Sequence, residues 1–277
     1  MESASRRLSK ATQKFYSDRT DAIIRLIGNK PVEKVTVTDL RRALTECPER
    51  SAPLNYRFLK RLFNFLIAEE VLKISPMDKL RPPKIEQRVI EPLTQVQLQK
   101  LFRVARSARG FGIRDSAMLA TLAGTGIRRE EMCNLRDEDV RLKDGVMLIH
   151  GKGRKQRLIP VPVHLMKMLA RYRSTRNSSK SYDAKCDRFF RSRSGRALTP
   201  DALTQVMIEL GHSAGIKLHP HLLRHTFATM FMANDGADVL TLQAICGWSS
   251  LAMAQRYSHA TMPKLQRSMD SFSPSCE

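Results

Sequence analysis

Cysteine is scarce and unpaired in this chain. Cys47, Cys133, Cys186, Cys246 and Cys276 are scattered through 277 residues without one Cys-x-x-Cys pair. That pattern argues against both a disulfide framework and a zinc knuckle. Long apolar runs are missing too: nothing approaches the ~18–20 consecutive apolar residues of a membrane span. Residues 1–10 are polar and charged, without the apolar stretch of a secretory signal. A reducing, cytoplasmic interior is the expected home. Acidic residues are the remaining shortage, 27 against 48 Lys and Arg, for a formal net charge of +21. Such an excess points to a polyanionic partner. A hydrophobic content of 42% is too high for a disordered basic tail, so the expectation is a folded basic protein.

Helical periodicity dominates the first 80 residues. One helix is expected over about 8–27, with Phe15, Ile23, Ile24 and Ile27 apolar among polar neighbours. A second follows Val37-Thr38-Asp39, where Thr38 can cap the turn carrying Leu40 and Leu44. Over 55–72, Phe58, Leu59, Leu62, Phe63, Phe65, Leu66 and Ile67 recur at spacings of three and four, with Arg57, Lys60 and Arg61 mostly opposite. The proline-bounded polar stretch around 81–92 can carry neither helix nor sheet undisturbed. It reads as a linker at 85–92 between a helical domain at 1–84 and a second domain at 93–277.

Both parts are basic: 19 basic and 11 acidic residues up to Arg88, then 29 and 16. Two lobes of like sign on a short tether suit a clamp around a long anion. The lack of a basic amphipathic helix with aromatic anchors argues against a membrane surface.

In the second part, Thr94 can cap a helix through about 106, and another spans about 114–123 and ends at Gly124. Three short strands are expected at 140–142, 146–150 and 157–161, joined by turns at Asp144-Gly145 and Gly151-Lys152-Gly153. A helix follows at about 164–172. Residues 171–196, with nine basic and two acidic side chains, read as a long exposed loop. Thr199-Pro200 opens further helices that continue to about 270.

Several short segments carry candidate chemistry. Thr125-Gly126-Ile127-Arg128 sets a glycine turn before a helix on which Arg128 and Glu131, three apart, share a face. Lys152 sits at the tip of a glycine-flanked turn, where a flexible ammonium can reach a phosphate. In His219-Pro220-His221-Leu222-Leu223-Arg224-His225, His221 and Arg224 share one helix face. His221 and His225 have the i, i+4 spacing of a metal pair, but no carboxylate or cysteine lies among them to complete a site. Gly247-Trp248 precedes Tyr257-Ser258-His259 by nine residues, and a sole tryptophan is by default a core residue.

Read in order, T-G-x-R-x-x-E, G-K-G-x-K-x-R, H-x-x-R-H, G-W and the later tyrosine resemble the catalytic domain of the tyrosine recombinases, the phage-integrase family. The resemblance spans about 93–262, and the helical first part is similar to that family's core-binding domain. It implies a mainly α fold with a small antiparallel sheet, closing as a C-shaped clamp on double-stranded DNA. The implied activity is site-specific recombination through a 3′-phosphotyrosine, serving integration, excision or resolution of a mobile element or replicon, with no cofactor, metal or ATP. Carried over, Arg128 and Arg224 grip the scissile phosphate, Lys152 donates a proton to the leaving oxygen, and Tyr257 is the nucleophile. His221 is the candidate base for the phenol. Trp248 stands where many members have histidine, which leaves an indole donor but removes acid–base chemistry. Glu131 is a supporting carboxylate that orients the basic cluster, while Asp139 and His225 are assigned to the fold.

The resemblance further implies a homo-tetramer in the synaptic complex, a monomer when free, and no membrane partner. With the first helix starting near residue 8, a short two-domain enzyme without an arm-binding domain is expected, acting at a simple site. A segment at 263–272, with Leu265, Met269 and Phe272 at helical spacing, is a candidate for docking on a neighbour or on its own domain. Two alternatives stay open: a type IB topoisomerase that reseals the same strand, and a DNA-binding protein of this fold without catalysis.

Overall fold

The computed structural model describes residues 10–83, 90–108, 110–151, 153, 155–179, 183–234 and 236–257. The chain divides into two compact units, Met1–Val89 and Ile90–Glu277.

The first unit is helical: α1 (Lys10–Ile27), α2 (Val37–Glu46) and α3 (Ala52–Ala68). Its core gathers Ile23 and Ile27 of α1, Leu40 and Ala43 of α2, Tyr56, Phe58, Leu59 and Phe63 of α3, and Met77. Helix α2 is capped by Thr36, not Thr38. The Thr36 hydroxyl accepts the Asp39 N–H, and the Asp39 carboxylate accepts the Thr36 N–H at 2.9 Å. The Thr36 N–H and hydroxyl, with Lys30 at 3.0 Å, hold the Asp39 carboxyl down at about 2. Phe65, counted within the apolar stripe of α3, is 57% exposed because it falls on the opposite side of the helix from Leu59 and Phe63.

In the second unit, α4 (Gln95–Ser107), α5 (Gly112–Thr125) and α6 (Arg129–Asn134) precede a sheet of β1 (Val140–Arg141), β2 (Val146–His150) and β3 (Gln156–Pro160). The sheet is antiparallel in the order β1-β2-β3, with Val140 opposite Met147 and Leu148 opposite Leu158. Helices α7 (Val163–Asn177), α8 (Pro200–Ala214), α9 (Pro220–Ala233), α10 (Val239–Cys246) and α11 (Leu251–Gln255) follow. Helix α5 is the central element, with residues 114–122 buried, and it packs on α4, α7 and α9. The structure thus shows a mainly α protein with one small antiparallel sheet.

Two expectations are corrected here. Helix α5 runs through Gly124 and stops at Gly126, whose φ of +60° forms a left-handed cap. Residues 171–196 are not an exposed loop: α7 continues to Asn177, and Phe189 and Phe190 are fully buried against Tyr172. Two of the arginines in this stretch are buried as well. Arg176 donates to the Phe189 carbonyl at 2.7 Å and pairs with Asp137 at 2.8 Å. Arg191, 2% exposed, donates to the carbonyls of Asp183 and Cys186. Dense positive charge is held inside because backbone oxygens satisfy it. The expected helix at 263–272 lies outside the described residues.

Candidate active site

The site is assembled at the ends of four helices. Gly126 closes α5, and a Cβ there would overlap the Phe227 ring of α9. That close approach turns the chain through buried Ile127 into Arg128, the N-cap of α6. The Arg128 N–H donates to Glu131 Oε2 at 2.9 Å, and its Nη1 donates to Glu131 Oε1 at 2.8 Å. Arg157, on β3, makes a two-pronged contact with the same carboxylate at 3.0 and 2.8 Å. The Glu131 side chain is only 5% exposed. Burial opposes its ionised form, but the Arg157 guanidinium and the Arg128 N–H outweigh it and hold the carboxyl below its ordinary value.

The C-terminus of α10 supplies the second anchor. Its terminal carbonyls lack helical partners and carry the negative end of the helix dipole. Arg157 Nε donates to the Ile245 carbonyl at 2.8 Å. Arg224 Nη2 donates to that of Cys246 at 2.9 Å, and Arg128 Nη2 to that of Gly247 at 3.0 Å. Arg224 also donates through Nη1 to the Gly126 carbonyl. One buried carboxylate and these carbonyls therefore hold three guanidinium groups together against their mutual repulsion. The charge left over is positive and fixed, which is what an anion with two free oxygens requires. Gly247 takes φ +61°, and a Cβ there would stand 2.8 Å from Arg157 Nη1, so the turn and the guanidinium fit only with glycine.

Helix α9 begins at Pro220 with His219 as its N-cap. His221 is exposed on the first turn, and Arg224 is buried one turn on, its guanidinium pKa lowered by burial. Past the Gly247 turn, the Trp248 ring is buried and lies beneath the Arg224 guanidinium, 5.2 Å from its centroid. Trp248 also stacks on Tyr257 at 5.4 Å with 4° between planes. Tyr257 is half-buried, and its phenol pKa is raised by burial and by nearby Cys246, against the Arg224 and Arg256 charges.

The structure thus brings Arg128, Glu131, Arg224, Trp248 and Tyr257 into one centre, with His221 one helical turn from Arg224. Lys152 lies outside the described residues. Two members had no role in the sequence reading. Arg157 is the last residue of the G-K-G-x-K-x-R segment, and the motif itself was its only signal. His225, assigned to the fold, has its Nδ1 3.2 Å from the Tyr257 hydroxyl. Asp139 accepts from the Arg136 N–H and meets His150 Nε2 at 2.9 Å, joining β1 to β2.

A helical domain with a three-stranded sheet, presenting clustered arginines beside a stacked tyrosine, is the architecture of the enzymes that break and rejoin DNA through tyrosine. Residues 91–264 match the phage integrase family, and the chain belongs to it. Tyrosine recombinase XerC of Bacillus licheniformis is 34% identical over 256 residues, covering 89% of this chain and 84% of the relative. The fold is shared with the Tn1549 transposon integrase solved in complex with transposon right end DNA (TM-score 0.78, 19% identity, 97% and 95% of the two chains). It is also shared with a lambda integrase tetramer bound to a Holliday junction (TM-score 0.74, 20% identity, 92% and 74%). The protein is a site-specific tyrosine recombinase.

Proposed function

We propose that Tyr257 is the nucleophile of this recombinase, and that Arg128 and Arg224 hold the two non-bridging oxygens of the scissile phosphate of duplex DNA. The single observation that carries the assignment is the Arg224–Trp248–Tyr257 stack, set against the arginine cluster on Glu131 and the α10 C-terminus. As Tyr257 Oη attacks phosphorus, charge builds on the non-bridging oxygens, and preorganised guanidinium groups stabilise it most at that point. The bond to the 5′ oxygen breaks, that oxygen takes a proton from Lys152, and a 3′-phosphotyrosine remains. The bond energy is retained, so a 5′-hydroxyl of a partner strand can reverse the step and complete the exchange.

In this reading Glu131 and Arg157 orient Arg128, and His221 contacts the phosphate from the exposed face of α9. Trp248 fixes the plane of the nucleophile. Residues 1–84 form the core-binding domain and residues 93–277 the catalytic one, joined at 85–92. The working assembly is a homo-tetramer on two DNA sites, a reading supported by the lambda integrase tetramer solved on a Holliday junction. The +21 charge supplies salt-dependent hold on the backbone.

The test uses sheared genomic DNA of the host as probe. Covalent protein–DNA adducts are captured under denaturing conditions, the DNA is sequenced and the linked peptide is mapped. A 3′-phosphate joined to Tyr257 at a recurring sequence, absent from Tyr257→Phe, supports the assignment. An adduct on another residue, or none with the wild type, refutes it. Plasmid relaxation without exchange between two recovered sites would instead assign topoisomerase chemistry.

A further inference from the structure

A nucleophilic phenol has to lose its proton as it attacks, and burial raises the pKa of this one. The side chain placed to receive that proton is on the helix that carries Arg224. The Tyr257 hydroxyl lies 3.2 Å from His225 Nδ1, with ring centroids 5.2 Å apart. The other ring nitrogen, Nε2, lies 2.7 Å from the backbone carbonyl of Ile90. A carbonyl can only accept, so Nε2 carries the hydrogen and neutral His225 presents a bare lone pair at Nδ1. The carbonyl is itself held in place, since three residues on the Leu93 N–H donates to the Thr226 hydroxyl of α9 at 2.9 Å. The phenol is constrained twice: Trp248 fixes its plane and His225 fixes its oxygen.

We propose that His225 is the proton acceptor for the nucleophile, its tautomer set by Ile90; this rests on Tyr257 being the attacking residue. As the Oη–phosphorus bond forms and the bond to the 5′ oxygen breaks, the phenol proton moves to Nδ1. The resulting imidazolium still donates from Nε2 to Ile90. The leaving 5′ oxygen takes its proton from a different donor, so the two proton transfers are on separate residues. In rejoining, Nδ1 returns its proton to the departing tyrosine oxygen.

One arm of the test needs no DNA. In protein carrying ¹⁵N-histidine, above neutral pH, His225 is expected as the Nε2–H tautomer, and Tyr257→Phe should move its Nδ1 resonance toward the value of a free acceptor. A protonated Nδ1 in the wild type, or a resonance indifferent to Tyr257→Phe, overturns the proposal.

The second arm measures adduct formation on a nicked duplex of the site recovered with host DNA. His225→Ala should slow it ~10²-fold or more, within the usual range for general-base catalysis, with duplex affinity unchanged. His225→Asn keeps a hydrogen-bond acceptor where Nδ1 was but cannot take up a proton, so it should be about as slow as His225→Ala. His225→Gln, which keeps the contact to Ile90, should be slow as well. A 5′-bridging phosphorothiolate, whose sulfur leaves without a proton, should leave the His225→Ala defect in place while relieving that of Lys152→Ala. Rescue of His225→Ala by sulfur, or His225→Asn or His225→Gln cleaving near the wild-type rate, overturns the proposal. If wild-type protein yields no adduct at all, the nucleophile assignment has failed and the inference falls with it, whereas a Tyr257 adduct formed equally fast by His225→Ala overturns the inference alone.

Discussion

Replacing Glu131 with glutamine removes one charge and keeps the shape, which makes it a sharp probe of how the arginine cluster is held. In the wild type, Glu131 accepts from the Arg128 N–H, Arg128 Nη1 and both Arg157 terminal nitrogens, at 2.8–3.0 Å. The amide presents only one oxygen, and its NH₂ is turned toward a guanidinium that has nothing to accept with. Removing one partner of a buried ion pair costs about 3–5 kcal/mol, because the other charge stays inside uncompensated. Arg128, whose side chain is 33% exposed, can relax toward water, which favours the low end. For a domain of this size about 3 kcal/mol corresponds to a melting point about 6–12 °C lower.

The pH dependence has a definite sign. The Glu131 carboxyl is held below its unfolded value, so its stabilisation is complete above that value and is lost as pH falls through the lower, folded one. The gap in melting temperature between wild type and Glu131→Gln should be constant near neutrality and narrow below pH ~4.3. Arg128 would also lose its alignment, and adduct formation should fall by about 10²-fold. Thermal unfolding across pH, with adduct kinetics on the same preparations, checks both. A Glu131→Gln protein that melts with the wild type and cleaves at its rate would refute the view that this carboxylate organises the cluster.

Arg224→Lys keeps the charge but cannot span the Gly126 and Cys246 carbonyls at once, so adduct formation should drop about 10²-fold while circular dichroism stays unchanged. Gly247→Ala places a side chain at φ +61° and 2.8 Å from Arg157; unfolding in urea should show a loss of about 1–3 kcal/mol together with impaired cleavage. Phe189→Ala, at a fully buried position between Tyr172 and Phe190, should cost about 3–5 kcal/mol in the same assay, whereas a residue of an exposed loop would cost nothing measurable.

The clustering of Arg128, Glu131 and Arg224 was legible because these residues sit at local landmarks, namely a glycine before a helix and a proline-opened helix. The misreadings arose where the deciding partner is distant or is backbone. Thr36 rather than Thr38 caps α2 because only Thr36 has a carboxylate three residues on, while Thr38 has Arg41. Gly126 rather than Gly124 closes α5 because of Phe227, a hundred residues away in sequence. In 171–196, charge density resembled solvation, and the carbonyls that accept from Arg176 and Arg191 leave no compositional trace.

His225 was hidden for a related reason. Adjacent residues on a helix point about 100° apart, so its nearness to Arg224 in sequence argues against a shared role. Two returns of the chain reverse that conclusion. The Gly247 turn brings Tyr257 back to α9, and the segment before α4 lays the Ile90 carbonyl beside His225. Helix α9 thus presents adjoining faces, Arg224 toward the arginine cluster and His225 toward Tyr257, with Thr226 fixing Leu93. Any displacement of the 90–93 segment would therefore reach Tyr257 through the two hydrogen bonds of the His225 ring, before it could disturb the arginines, which are anchored separately on Glu131 and the end of α10.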